Sequence, residues 1–426
     1  MKLTSKHILN FSVFLFFIVL PFERQHIFFQ FGYQFGNFAA VSFYASDIIA
    51  LILVGIGLFR LIKNMAFPLP RELLVLFIFL IFAMITAPRG AFQSYFGLKM
   101  LEFGGIWLFF NYFSKETTVS YATLAGISVS ALLQALIGIA QFIKQQSLGL
   151  KFLGEDLLSA SINGVAKINT PRGTFIRAYG TFGHPNQLAA FLCVACVTSL
   201  ILLRKSKNRI QTITWMSTVI LLVLGETLTF SRGGWLALII ELAIFMYLSR
   251  ETIANETYRR SLIIVCVAIA FSVVAAWPYL GNRITVTDSS TISRIYYDKA
   301  GLTLFSKHPV LGVGLGNLMP AVAAIESLPQ AWQIQPPHNY FIIVACETGL
   351  IGLAVFLYIF ISLLTKLIKK LQTGDREQQI FKYGLLSIFV AFLVLMQVDH
   401  YFYTLQQTQL LLWSVLGIIS GTVLKN

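Results

Sequence analysis

Four stretches of this chain gather residue types that handle phosphate and protons. "RAYGTFGHPNQLAAFL" (177–192) carries Arg177 and then His184 and Asn186 on either side of Pro185. "TLTFSRGGWLAL" (227–238) sets Arg232 ahead of two glycines, which permit close approach of backbone or ligand. "SSTISRIYYDKAGLTLFSKHPVLGVGLGN" (289–317) reads at first as a short helix. On it Ile292, Ile295, Tyr296 and Leu302 share a face, with Arg294 well round from them. "QPPHNYFIIVACETGLIGL" (335–353) puts His338 and Asn339 at the mouth of a long apolar run.

The chemistry these residues suggest is anionic. Helices starting at 185 and 338 each expose free backbone N–H groups and a positive dipole end, which suit phosphate. Arginine adds a planar, permanently charged fork that meets phosphate oxygens at two points. Each residue also has a plainer use. His184 and His338 fit helix caps, Arg232 fits an interfacial anchor, and Arg294 fits an i,i+4 pair with Asp298. Glu226 and Glu241 lie inside apolar runs, where an acid is either functional or paired internally. Other templates fail. "GVGLGN" (312–317) has no βαβ context, and GxxxxGK[ST] and HExxH do not occur. Asp288 and Asp298 have no spacing that would make them face one another. Cys193 and Cys196 form a CxxC without histidines nearby and read as packing, with neither zinc nor a disulfide framework expected.

The elements that must position these residues belong to a membrane. Of 426 residues 57% are hydrophobic and 12% charged, against about 25% charged in soluble domains. A spanning helix needs about 20 mostly apolar residues. Twelve segments qualify: 7–22, 41–62, 71–87, 97–113, 119–143, 184–203, 211–230, 233–249, 261–280, 338–365, 383–399 and 403–424. The first lacks a small-residue cleavage site before "PFERQ" and reads as a retained helix. No polar stretch is long enough for a soluble domain, so residues 1–426 read as a single polytopic domain. Alternate short loops, such as "RKSKNR" (204–209), are dense in Lys and Arg, which places them and both termini in the cytoplasm. The net charge of +14 follows largely from this and signals no nucleic acid. Two long segments face outward, 144–183 and 281–337, the second with short helices. Both are basic without a topological reason. Lipid headgroups would satisfy them, as would an anionic substrate at the outer membrane face.

The four stretches, in this order and at this spacing, resemble the O-antigen ligase family, whose superfamily includes Wzy-type polymerases and bacterial O-oligosaccharyltransferases. The resemblance is concentrated in 177–353 and extends over most of the chain as topology. It implies an all-α, GT-C-type fold of about 12 transmembrane helices with a long extracytoplasmic loop between the ninth and tenth. It further implies a metal-independent, inverting glycosyltransferase without a cofactor, in the plasma (inner) membrane with its active site facing the periplasm or exterior. Such an enzyme moves a glycan en bloc from undecaprenyl diphosphate to an acceptor hydroxyl, with lipid A–core as acceptor. By motif, Arg232 and Arg294 would hold the diphosphate and His338 would act on the acceptor hydroxyl. Arg177, His184 and Asn339 complete the expected substrate-binding set. Polymerisation of repeat units, with a second glycan as acceptor, is the alternative, followed by protein O-glycosylation. A lipid-linked glycan transporter is the rival class. It would show a repeat between halves and polar residues at midplane, whereas here no repeat is visible and the polar groups gather outward.

Overall fold

The computed structural model describes residues 5–30, 40–64, 69–86, 91–114, 117–251, 256–279, 289–325 and 335–424. Asp288 lies outside them. Helices occupy all twelve apolar segments: α1 (Ser5–Val19), α2 (Ala45–Asn64), α3 (Arg71–Thr86), α4 (Ala91–Phe113), α5 (Thr117–Lys144), α6 (Pro185–Arg204), α7 (Arg209–Leu228), α8 (Arg232–Leu248), α9 (Glu256–Ala276), α12 (Tyr340–Lys370), α13 (Arg376–Met396) and α15 (Gln406–Val423). The long segment after α9 carries α10 (Ser289–Lys307) and α11 (Leu318–Ile325), and α14 (Tyr401–Thr404) precedes α15. Among the described residues seven helices are long and apolar enough to cross a membrane: Ala45–Lys63, Val119–Lys144, Pro185–Arg204, Arg209–Leu228, Tyr258–Tyr279, Tyr340–Lys370 and Arg376–Met396. Two antiparallel hairpins join the helices, β1 (Gln25–Gln30) with β2 (Ala40–Tyr44) and β3 (Lys167–Thr170) with β4 (Gly173–Ile176). The expected helix at 41–62 therefore begins as a strand. Val41, Phe43 and Tyr44 favour extended backbone, and Asp47 Oδ2 accepts the Tyr44 N–H at 2.9 Å just inside α2.

The chain forms two compact units. One holds residues 1–24, 116–286 and 370–395, with α6 at its centre and every α6 residue from Pro185 to Leu203 buried. Small residues along α6 let neighbouring helices approach, as is usual between membrane helices. Ser128 and Thr198 hydroxyls meet at 2.9 Å between α5 and α6. A Cβ on Gly225 of α7 would come within 2.9 Å of Ala135 Cβ on α5. The outward-expected segment 144–183 is fastened to α5 by three side chains. Gln141 donates to the Gly180 carbonyl at 2.7 Å and accepts from Tyr179 and Gly180 N–H. Gln134 accepts from Thr181 N–H at 2.8 Å. Glu155 accepts from Leu148 and Leu150 N–H and from Gln141.

The second unit holds residues 25–115, 287–369 and 396–426. Its tightest packing is α4 against α15, where Gly417 and Gly421 form a small-xxx-small step. A Cβ on Gly417 would lie 2.6 Å from the Trp107 carbonyl. Between the two glycines, Ser420 Oγ accepts from Trp107 Nε1 at 2.8 Å and donates to Asn111 Oδ1 at 3.0 Å. Lys99 on α4 is buried against Asp47 at 2.6 Å and Glu102 at 3.0 Å.

Within this unit α12 is broken at Gly349, whose φ of 64° and ψ of −164° suit glycine alone. The "HPVLGVGLGN" segment fills the break. Val313 and Gly314 N–H donate to the Cys346 and Glu347 carbonyls at 2.8 and 3.0 Å, and Leu350 N–H donates to the Pro309 carbonyl at 2.8 Å. Glu347 then accepts Gly316 N–H at 2.9 Å, Leu318 N–H at 3.1 Å and the Tyr403 hydroxyl at 2.6 Å. A Cβ on Gly312 would overlap the Glu347 backbone. The glycine pattern that resembled a dinucleotide loop serves this docking.

Candidate active site

Three segments of the second unit build the cluster that holds most of the chemistry. The first is α10, with Arg294, Tyr297 and Asp298. The second is the proline-led entry to α12, with His338 and Asn339. The third is the connection 397–400 between α13 and α14, with Asp399 and His400. Helix α10 lies close on the α12 entry because Gly301 has no side chain. A Cβ there would come within 2.6 Å of Pro337 and 2.8 Å of Ile342. Cys346 Sγ donates to the Gly301 carbonyl at 3.1 Å.

His338 is half-buried and held by backbone and rings. Its N–H donates to Asp298 Oδ1 at 2.7 Å, Tyr297 stacks on its imidazole at 6.0 Å between centroids, and the His400 ring meets it edge-on at 4.9 Å. Its Nδ1 is buried with no hydrogen-bond partner among the described residues. Arg294 reaches Asp399 Oδ2 at 3.4 Å rather than Asp298, which is engaged by His338. Asp399 Oδ1 accepts the His400 N–H at 2.9 Å and lies 3.9 Å from His400 Nε2.

Burial holds the His338 imidazole below its ordinary range; Asp399 pulls it back up, and Arg294 presses it down. His400, more deeply buried, is pushed down to about 3 by burial and then by His338 and Arg294, against Asp399. Asp298 is raised, chiefly by burial. Both imidazoles are therefore neutral at neutral pH. A neutral imidazole with an available ring nitrogen can accept a proton. The adjoining Arg294 supplies fixed positive charge.

Asn339 is the cap of α12. Its Oδ1 accepts Phe341 and Ile342 N–H at 2.9 and 3.2 Å, and its Nδ2 donates to Gln397. The N–H groups that an anion would need at this helix start are thus partly used. His308 is exposed at the end of α10.

Arg232, Arg177 and His184 belong to the first unit. Arg232 is the first residue of α8 and is half-buried, with Ser231 capping the helix through Gly234 N–H. The turn before it is fixed by Phe230, which takes a left-handed φ of 49° and buries its ring against Phe142, Trp235 and Tyr279. Arg177 is buried and donates to the Thr229 carbonyl and, at 2.7 Å, to Asn186 Oδ1. Ala178 N–H donates to the Leu228 carbonyl at 2.9 Å. These bonds tie 177–178 to the turn that presents Arg232. His184 fulfils the cap role, with Nδ1 accepting Asn186 N–H at 3.1 Å. Glu226 and Glu241 are fully buried, and their carboxyl oxygens have no hydrogen-bond partner among the described residues. Gly234 leaves the space that Glu226 Oε1 occupies.

Sequence reasoning missed Asp399 and His400. The expected segment 383–399 takes in Asp399 and leaves His400 in a three-residue gap before 403–424, whereas α13 stops at Met396 and puts both in a connection. The signal was available: a histidine at the entry to an apolar run, as at His338, here with an acid beside it.

Residues 217–357 match the family model described as O-antigen ligase. The matched range holds Arg232, Arg294, His338 and Asn339. No curated protein matches the chain. Apolar helices and the family match together make this an integral membrane protein.

Proposed function

Proceeding from assignment to the O-antigen ligase family, we propose that the protein is an inverting glycosyltransferase using an undecaprenyl-diphosphate-linked glycan, with lipid A–core as acceptor. The active site faces the periplasm from the inner membrane, and both termini are cytoplasmic. Support comes chiefly from His338: a neutral imidazole with an unpartnered Nδ1, within 4.8 Å of the Asp399 carboxylate that pairs with Arg294. An acceptor hydroxyl is a weak nucleophile, and His338 takes its proton as the oxygen bonds the anomeric carbon. The bond from that carbon to the diphosphate oxygen breaks on the opposite face. The leaving group departs as an anion, so no protein acid protonates it, and Arg294 neutralises its charge; Arg232, in the first unit, enters the proposal as a diphosphate-binding residue on its motif alone. Asp399 orients Arg294. Asn339 fixes the helix start that presents His338. The transfer needs no metal.

The test is reconstitution with a defined undecaprenyl-diphosphate glycan. Lipid A–core and a second donor molecule are offered separately, which distinguishes ligation from polymerisation. His338→Ala loses about 10²- to 10⁴-fold in turnover and retains donor binding. Arg232→Lys and Arg294→Lys lose activity with the fork geometry although the charge remains. Near-normal turnover in His338→Ala, or full activity in both lysine variants, overturns the reading.

A further inference from the structure

The geometry points to a transition-metal site of the zinc class formed by His338, Asp399 and His400. Each offers a ligand atom, and the three lie within 4.8 Å of one another. Two of the three groups are buried and the third is half-buried. Hydrogen bonding fixes which atom His400 presents. Thr404 Oγ1 donates its only proton to the His400 carbonyl at 3.2 Å and lies 2.7 Å from His400 Nδ1. In the tautomer that satisfies both contacts, Nδ1 donates to Thr404 Oγ1 and the lone pair is left on Nε2, the nitrogen 3.9 Å from Asp399 Oδ1. His338 Nδ1 adds a second imidazole lone pair, buried and without a hydrogen-bond donor among the described residues.

Metal-bound histidines ordinarily donate their second ring N–H to an oxygen, as His400 does to Thr404. Two imidazoles and one carboxylate suit zinc and its neighbours far better than magnesium or calcium, which take oxygen ligands. Arg294 meets Asp399 through Oδ2 at 3.4 Å, the long end of hydrogen-bonding range. A bound zinc ion takes the His338 lone pair that would otherwise accept a proton. Zinc is then a reversible inhibitor of transfer, a consequence that rests on the base role proposed for His338.

The site is tested on the full-length protein in detergent, stripped with EDTA, with Zn²⁺ titrated against a chromogenic chelator. One zinc per chain is expected, lost in His400→Ala and Asp399→Asn and kept in His308→Ala. Thr404→Val keeps all three ligands and removes the hydroxyl that meets His400 Nδ1 and the His400 carbonyl, so it should bind about 10-fold more weakly or worse. That variant decides the matter if a ligand variant does not fold. Failure of the wild type to bind zinc stoichiometrically, or undiminished binding in His400→Ala, Asp399→Asn and Thr404→Val, overturns the site. Activity is read separately. Zinc bound at full transfer rate upholds the site and removes His338 as base, whereas no zinc binding with an inactive His338→Ala does the reverse.

Discussion

Replacing Glu347 with alanine should destabilise the second unit far more than removing the hydroxyl it accepts. Glu347 receives two backbone N–H groups, from Gly316 and Leu318, and the Tyr403 hydroxyl. Its residue is 3% exposed, so water does not reach the two N–H groups once the carboxyl is gone. A buried donor left unsatisfied costs about 1–3 kcal/mol, so the two N–H groups alone put Glu347→Ala at about 2–6 kcal/mol, before the Tyr403 hydroxyl is counted. Tyr403→Phe leaves both N–H groups satisfied. It should cost about 0.6 kcal/mol, the average for side-chain hydrogen bonds between membrane helices. Glu347→Gln falls between, because its amide nitrogen cannot accept and orphans one N–H. Thermal unfolding of the three variants in one detergent, followed by retention of the monodisperse peak, gives the order. If Glu347→Ala unfolds with Tyr403→Phe, the docking of 309–317 does not depend on Glu347 and the reasoning fails.

Three further outcomes are expected. The Glu23 carboxyl is pushed up to about 8 from 4.5 by burial and then by Asp156, with Gly183 N–H opposing. A raised acid contributes its full stability below the unfolded value and loses it as pH rises through the folded one. The wild-type unfolding midpoint should therefore decline between about pH 4.5 and 8 more steeply than that of Glu23→Gln; parallel curves would refute this. Arg177→Ala strips the donor from Thr229 and Asn186 and should lower the unfolding midpoint along with donor binding. A loss of donor binding at an unchanged midpoint would instead make Arg177 a direct ligand. In a cysteine-free background, Ser206→Cys and Ser289→Cys should label from opposite faces, and labelling of both from outside would overturn the topology.

The helices were legible because each apolar run had to satisfy its own backbone in lipid. The structure moves their ends by a few residues, as from 184–203 to Pro185–Arg204. Those small shifts matter where chemistry sits at a terminus. Ending α13 at Met396 releases Asp399 into the site beside His400, and starting α12 at Tyr340 leaves His338 in the entry. Arg294 and His338 were visible as residue types out of place. Their meeting near Asp399 depends on a contact between Arg294 and Asp399, 105 residues apart, which periodicity does not encode. Arg177 shows the reverse limit. A motif arginine looks the same in sequence whether it meets a ligand or, as here, two neighbouring protein acceptors.

The break at Gly349 bears on which insertions the chain can accept. Bonds from Val313, Gly314 and Leu350 lock 309–314 to fixed positions on α12, and Gly301 locks α10 to the same helix through Cys346. His338 thus sits at a set helical phase from the elements that carry Arg294. One residue added between Tyr340 and Cys346 would turn the entry by about 100° and shift it about 1.5 Å along the axis. Insertions there should be purged, while the connection 371–375, exposed at Gln372–Asp375, has no such phase to keep.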